Sequence, residues 1–174
     1  MGRRASVGLT LVELMVVVAL VGALSFLAVP AMGSAMSAAR LSAATNALFS
    51  SFVLARSEAI KRKSRAVVCK SHDGLVCTTS GGWEQGWIVF QDINNNAAAD
   101  VGEAVLAQHS ALPGEIRVSG NFSDLSYTPG GSVVALGGTL TGCYAASTSN
   151  PARQIVISKT GRPRIVRTTV PNCL

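Results

Sequence analysis

Apolar positions divide this chain into three regimes. From Leu11 nearly every side chain is apolar, and after Glu13 no charge appears until Arg40. The run from Leu14 to Met32 is long enough to cross a bilayer as a helix, since ~20 residues at ~1.5 Å rise span ~30 Å. Past Pro30 the pattern changes. Leu41, Ala44, Leu48, Phe52, Ala55 and Ala59 recur at steps of three and four, the stripe of an amphipathic helix with one buried face. Together these regimes predict one helix from about Leu11 to about Lys63, bent near Gly22 or Pro30. From Arg65 the period shortens to ten β-like runs: 66–70, 75–79, 86–91, 104–109, 115–119, 125–127, 132–136, 139–145, 154–158 and 163–168. Turn signals such as Asp73-Gly74, Gly81-Gly82, Pro113-Gly114 and Gly137-Gly138 separate them. The expected fold is α+β, a long N-terminal helix whose second half packs on antiparallel sheet.

The chain has 174 residues, room for one membrane helix and one modest globular domain. Arg3 and Arg4 precede the apolar run, so the positive-inside rule puts the N-terminus in the cytoplasm and the rest across the membrane. Cys69, Cys77, Cys143 and Cys173 all follow the run and would meet an oxidising compartment, where disulfides persist. Of three possible connectivities, Cys69–Cys77 with Cys143–Cys173 is favoured, because each pair is local to one sheet region. There is no CxxC and no zinc-like spacing, so no metal or cofactor is expected. Asp92, Asn94, Asn96, Asp100 and Glu103 do fall at positions 1, 3, 5, 9 and 12 of a calcium-loop template. Ala97 stands where that template requires glycine, which favours a hydrogen-bonded turn over a cation site. The two histidines, His72 and His109, lie in no catalytic arrangement, and no phosphate loop or dinucleotide fingerprint is present. The chain is read as no enzyme.

Charge is net +6, and its distribution matters more than its size. Lys61, Arg62, Lys63, Arg65 and Lys70 form one basic group. Arg153, Lys159, Arg162, Arg164 and Arg167 form another, and no acid follows Asp124. The first group has a structural explanation, because basic residues complement the negative end of a helix and Glu58 can pair with Arg62. The second points to a polyanion partner. Arg162 and Arg164 alternate by two and would project together from an extended segment, with Lys159 and Arg167 close on either side. Pro163 confines the following strand to an edge. Arginine suits a row of phosphates, and without interleaved aromatics the binding would ignore base sequence.

The N-terminal stretch carries a more specific signal. Gly8-Leu9-Thr10-Leu11-Val12-Glu13 places one acid at the edge of the apolar run, at a cost of ~2–3 kcal/mol on insertion scales. It resembles the class III signal of type IV pilins and pseudopilins. That resemblance implies cleavage after Gly8 by a prepilin peptidase, methylation of the new amine on Leu9, and pairing of Glu13 with the amine of a neighbouring subunit. Leu9 stands where the family usually has Phe. The implied organisation is a leader at 1–8, a transmembrane and filament-core helix at 9–33, an amphipathic helix at 34–64 and a β-rich domain at 65–174. The subunit would sit in the bacterial inner membrane with its globular domain in the periplasm, then pass into a pilus.

Leu54–Arg62, Arg65–Cys69 and Trp83–Asp92 further resemble the signature of the GspH/FimT minor pilins and pseudopilins. Within that family Gly161-Arg162-Pro163-Arg164 is similar to the GRxR motif of the FimT branch, whose members bind extracellular DNA during natural transformation. The implied partners are double-stranded DNA, other pilins, the inner membrane and the prepilin peptidase. Arg162 and Arg164 would contact phosphate, supported by Lys159, Arg167 and the Lys61, Arg62, Lys63 cluster. Two other readings stand beside this one: a priming minor pilin or type II secretion pseudopilin without DNA binding, and an adhesin for acidic glycans or lipid.

Overall fold

The computed structural model describes residues 10–145 and 150–173, without the side chains of 26–31, 34 and 150. The chain divides after Ala38 into two compact units. Helix α1, Leu11–Arg62, contributes to both. Its start is capped locally: Thr10 Oγ1 accepts the Glu13 amide at 3.3 Å, half of a Thr-x-x-Glu capping box. In the first unit the apolar side chains from Leu11 to Leu24 are exposed, and Glu13 with them. Among the described residues no helix is long and apolar enough to cross a membrane. Residues 26–31 of the expected span lie outside the described side chains.

In the second unit every member of the predicted stripe is buried: Leu41, Ala44, Leu48, Phe52, Ala55 and Ala59. The helix ends where Lys63 takes φ +52° and the Ser64 amide reaches the Ala59 carbonyl. Eight antiparallel strands follow among the described residues. They are β1 Arg65–Lys70, β2 Trp87–Asp92, β3 Val105–His109, β4 Ile116–Gly120, β5 Asp124–Tyr127, β6 Gly138–Tyr144, β7 Asn150–Ile157 and β8 Pro163–Val170. One sheet has the order β3-β2-β1-β5, the other β4-β6-β7-β8. Both present apolar side chains to the helix stripe in one continuous core, with Trp83, Trp87, Tyr127 and Ile155 among its largest members. β1 is covered on both faces, which is why Ala66-Val67-Val68-Cys69 reads as an unbroken apolar run. Val67, Cys69, Ile88 and Phe90 form a smaller cluster behind the first sheet, under Cys77, Ala97 and Ala99.

Two expected strands do not form. Residues 75–79 are a loop. Asp73 Oδ1 accepts the Leu75 and Val76 amides, and Cys77 is held to Cys69 with Cα atoms 5.6 Å apart. A side-chain acceptor has replaced the ladder partner that a strand would need. Residues 132–136 make only a single bridge, Tyr127 to Val133, because the Val133 amide is taken by the Lys159 carbonyl at 3.2 Å. The second disulfide joins Cys143 to Cys173, Cα atoms 5.7 Å apart. It ties the segment after β8 back to β6.

Candidate nucleic-acid interface

The residues expected to meet phosphate are placed by the β7–β8 hairpin. Gly161, at φ +76°, lets the chain reverse, and its amide donates to the Ser158 carbonyl at 2.8 Å. The Ser158 amide donates to the Arg162 carbonyl at 3.3 Å and Ser158 Oγ accepts the Arg162 amide, so the ladder continues into the turn. Ile165 packs on the core. By alternation Arg162 and Arg164 therefore project from the opposite face, and both are exposed. Neither makes an ion pair among the described residues. Across the sheet from Arg164 lie Val156 and then Thr139. Beside them the Gln154 amide donates to Thr141 Oγ1 at 3.2 Å. The strands of this sheet contain no acid. The outer face is thus polar, cationic at the hairpin end and free of local neutralisation.

The hairpin rests on a support that spacing does not reveal. An added Cβ at Gly161 would overlap the Gly131 carbonyl oxygen and press on the Tyr127 ring. That same carbonyl accepts Arg56 Nε from α1 at 2.8 Å. The helix, by a hydrogen bond, and the hairpin, by close approach, thus meet the 128–131 turn at one oxygen. Tyr127, also at this junction, has a buried hydroxyl with no hydrogen-bond partner among the described residues. Burial pushes its pKa up, against a smaller opposing pull from Arg56. The signals for this junction were Gly130-Gly131 and Gly161, each legible as a turn; that they meet was not legible.

The other expected cations are arranged differently. Lys159 is exposed at the turn. Arg167 is exposed but, three residues past Arg164, falls on the other face of β8, so it does not extend the Arg162–Arg164 row. Arg153, directly across from Arg167, is half-buried. In the first basic group Lys61 and Arg62 both pair with Glu58. The Arg62 hydrogen bond, aided by Lys61, holds the Glu58 carboxyl below its usual range. Lys70 is buried and donates from Nζ to the Thr79 and Gly81 carbonyls, each at 2.8 Å. Arg65 donates to the Asn95 carbonyl and lies 3.8 Å from Asp92. The helix end therefore accounts for Lys61 and Arg62, and loop partners account for Arg65 and Lys70. Lys63 is exposed at the helix end.

The Asp/Asn-rich connection is internally bonded. Asp92 accepts the Asn96 and Ala97 amides, and Glu103 accepts those of Ile93 and Asp100. Asn94 and Asn96 donate to Asp100, which holds its carboxyl below the usual value. Among the described residues no His, Cys, Asp or Glu group could hold a metal ion. Gly8 and Leu9 lie outside the described residues.

A long N-terminal helix whose second half packs on antiparallel sheets defines the type IV pilin class of fold. Residues 44–161 match the family described as Type II transport protein GspH, and the chain belongs to that family of minor pilins and pseudopilins. The fold is similar to that of the type IV minor pilin FimU of Pseudomonas aeruginosa, with a TM-score of 0.61 and 19% identity over 77% of this chain and 95% of that one. It is also similar to the minor pseudopilin EpsH from the type 2 secretion system of Vibrio cholerae, with a TM-score of 0.52 and 11% identity over 73% and 96%. A search of curated proteins finds no match. The family match stops at Gly161, one residue before the arginine row.

Proposed function

We propose that this chain is a non-enzymatic minor pilin that binds double-stranded DNA through the β7–β8 hairpin and assists its uptake in natural transformation. One observation carries the reading: Arg162 and Arg164 are exposed on one face of an acid-free sheet with no ion-pair partner among the described residues. Two like charges kept close without neutralisation are costly unless an anion joins them. Guanidinium groups at alternate positions offer forked donors to successive phosphates. Trp83, Trp87, Tyr127, Phe52 and Phe90 are in the core, and no aromatic interleaves with the arginines in sequence, which favours duplex backbone over bases. Lys159 adds charge at the turn.

The remaining parts serve assembly. Cleavage after Gly8 by the prepilin peptidase frees the Leu9 amine, and Glu13 meets the corresponding amine of a neighbouring subunit. The apolar run of α1 holds the subunit in the inner membrane and then in the filament, with other pilins as partners.

The test is a titration of the full chain, in uncharged detergent, with duplex DNA at several salt concentrations. If three phosphates are neutralised, affinity falls about 40-fold between ~50 and ~200 mM salt. Replacing both Arg162 and Arg164 by Ala removes most of the binding and flattens the salt slope by about two. The circular dichroism spectrum stays unchanged. Salt-independent binding, or binding indifferent to the double replacement, leaves the structural filament subunit as the function.

A further inference from the structure

The four sheet edges differ in how they are closed. β3 is five residues long and its pairing with β2 shifts register at Val89 and Phe90. β5 is partly covered by residues 132–134 through the Val133 bridge and the Val134 amide on the Ser126 carbonyl. On β4, Glu84 Oε2 accepts the Val118 amide at 3.0 Å. β8 is eight residues long, and no comparable cover lies on it among the described residues. A long open edge is a template for another strand.

Register shows what this edge offers. The hydrogen bond between Ser158 and Arg162 makes that pair a bonded one, and bonded and non-bonded pairs alternate in an antiparallel ladder. Ile157 with Pro163, Ile155 with Ile165, Arg153 with Arg167 and Pro151 with Thr169 are then the non-bonded pairs. Both prolines fall at these positions, where no ladder amide is required. The backbone groups of Pro163, Ile165, Arg167 and Thr169 therefore face away from β7. Three amides and four carbonyls form a ready row along the open edge.

Charge selects the occupant. Arg162, Arg164 and Arg167 line this edge, and Arg167 stands directly opposite Arg153. Side chains approach most closely in non-bonded pairs, so this like-charge pair is unfavourable until an acid enters. A second β8 edge would add three more arginines and is repelled. We propose that the outer edge of β8 docks an extended acidic segment of another polypeptide as a ninth antiparallel strand. Acids opposite Arg167, Arg164 and Arg162 fall at positions k, k+3 and k+5 of that segment. Backbone pairing supplies affinity and the acid spacing supplies selection, the usual division of labour in strand addition.

The inference does not rest on DNA binding, although it shares Arg162 and Arg164 with it, and its primary titration contains no nucleic acid. The probe is the peptide Thr-Val-Glu-Val-Thr-Glu-Val-Glu, titrated into the full chain in uncharged detergent. N-methylation of its third and fifth residues, whose amides face β8, weakens binding by about ten-fold or more, while N-methylation of the fourth and sixth changes it by less than about two-fold. Thr169→Pro removes an outward amide without touching the β7 ladder, and it weakens the peptide by about three- to ten-fold while DNA titration is unchanged. Equal loss from both methylation patterns, or equal binding of a scrambled peptide, reduces the edge to a patch of charge and overturns strand docking. Failure of the peptide to bind overturns it also, whatever the DNA titration gives, and self-association of the chain in place of peptide capture overturns the acidic partner.

Discussion

Gly161 is the residue on which the arginine row depends. Its φ of +76° favours glycine, and a Cβ there runs into the Gly131 backbone rather than into a side chain that could yield. Gly161→Ala is expected to cost about 1–3 kcal/mol, measured as a shift in denaturant midpoint. It also lowers DNA affinity at denaturant-free conditions, since the hairpin must move off its seat and carry Arg162 and Arg164 with it. Wild-type stability in that variant would mean the turn has freedom that the backbone contact denies. The glycine and both arginines were legible as residues with a purpose. Arg167 shows what spacing leaves out. Proximity in sequence put it beside Arg164, yet an odd offset along a strand sends a side chain to the other face. Lys70 and Arg65 counted in the first basic group, but charge in a sequence does not say whether carbonyls wait to receive it, and both donate to backbone carbonyls.

Helix α1 was the most legible element, because burying one face forces a period that survives in the residue types. Phe52 sits at the centre of its stripe, fully buried, with the Trp83 and Phe122 ring centroids 5.9 and 6.3 Å away. Phe52→Ala is expected to destabilise the globular unit by about 3–5 kcal/mol, read from chemical denaturation. A loss under ~1 kcal/mol would contradict the packing described. Strands were less legible. Those with two buried faces, such as β1 and β2, stood out as apolar runs. The segments 75–79 and 132–136 carried the same residue types but not the partners. In one the Asp73 carboxylate satisfied the amides, and in the other the hairpin carbonyl of Lys159 did. Ladder formation depends on a neighbour with free groups, and no local pattern encodes that neighbour.

Taken over the full chain, charge is segregated. The sheet that ends in β8 has no acid in its strands, and Glu84 and Glu115 adjoin it at β4, the edge opposite β8; Asp92, Asp100, Glu103 and Asp124 belong to the strands and connections of the other sheet. Such separation gives a protein one face for anions and leaves the rest neutral or repellent to them. Glu13 belongs to the first unit and the arginine row to the second. The proposed functions should therefore separate genetically. Glu13→Ala is expected to prevent incorporation into filaments, scored by recovery of the subunit in sheared pili, and to leave DNA titration of the detergent-solubilised chain unchanged. Normal recovery would remove the assembly role from Glu13; the N-terminal cap would be untouched, because Thr10 Oγ1 accepts the backbone amide of residue 13 and not its carboxylate.

Residue types and spacings alone dictated a long helix, its buried stripe, an antiparallel α+β class, and a cationic tail, because each is an average over many positions or a consequence of local sterics. The meeting of Arg56, Gly131 and Gly161, the face that each arginine takes, and the long β8 edge uncovered among the described residues arose only on folding. These depend on pairing register and on contacts between segments far apart in the chain. Moving a strand by one residue exchanges its two faces, and nothing in the strand's own sequence pays that difference back.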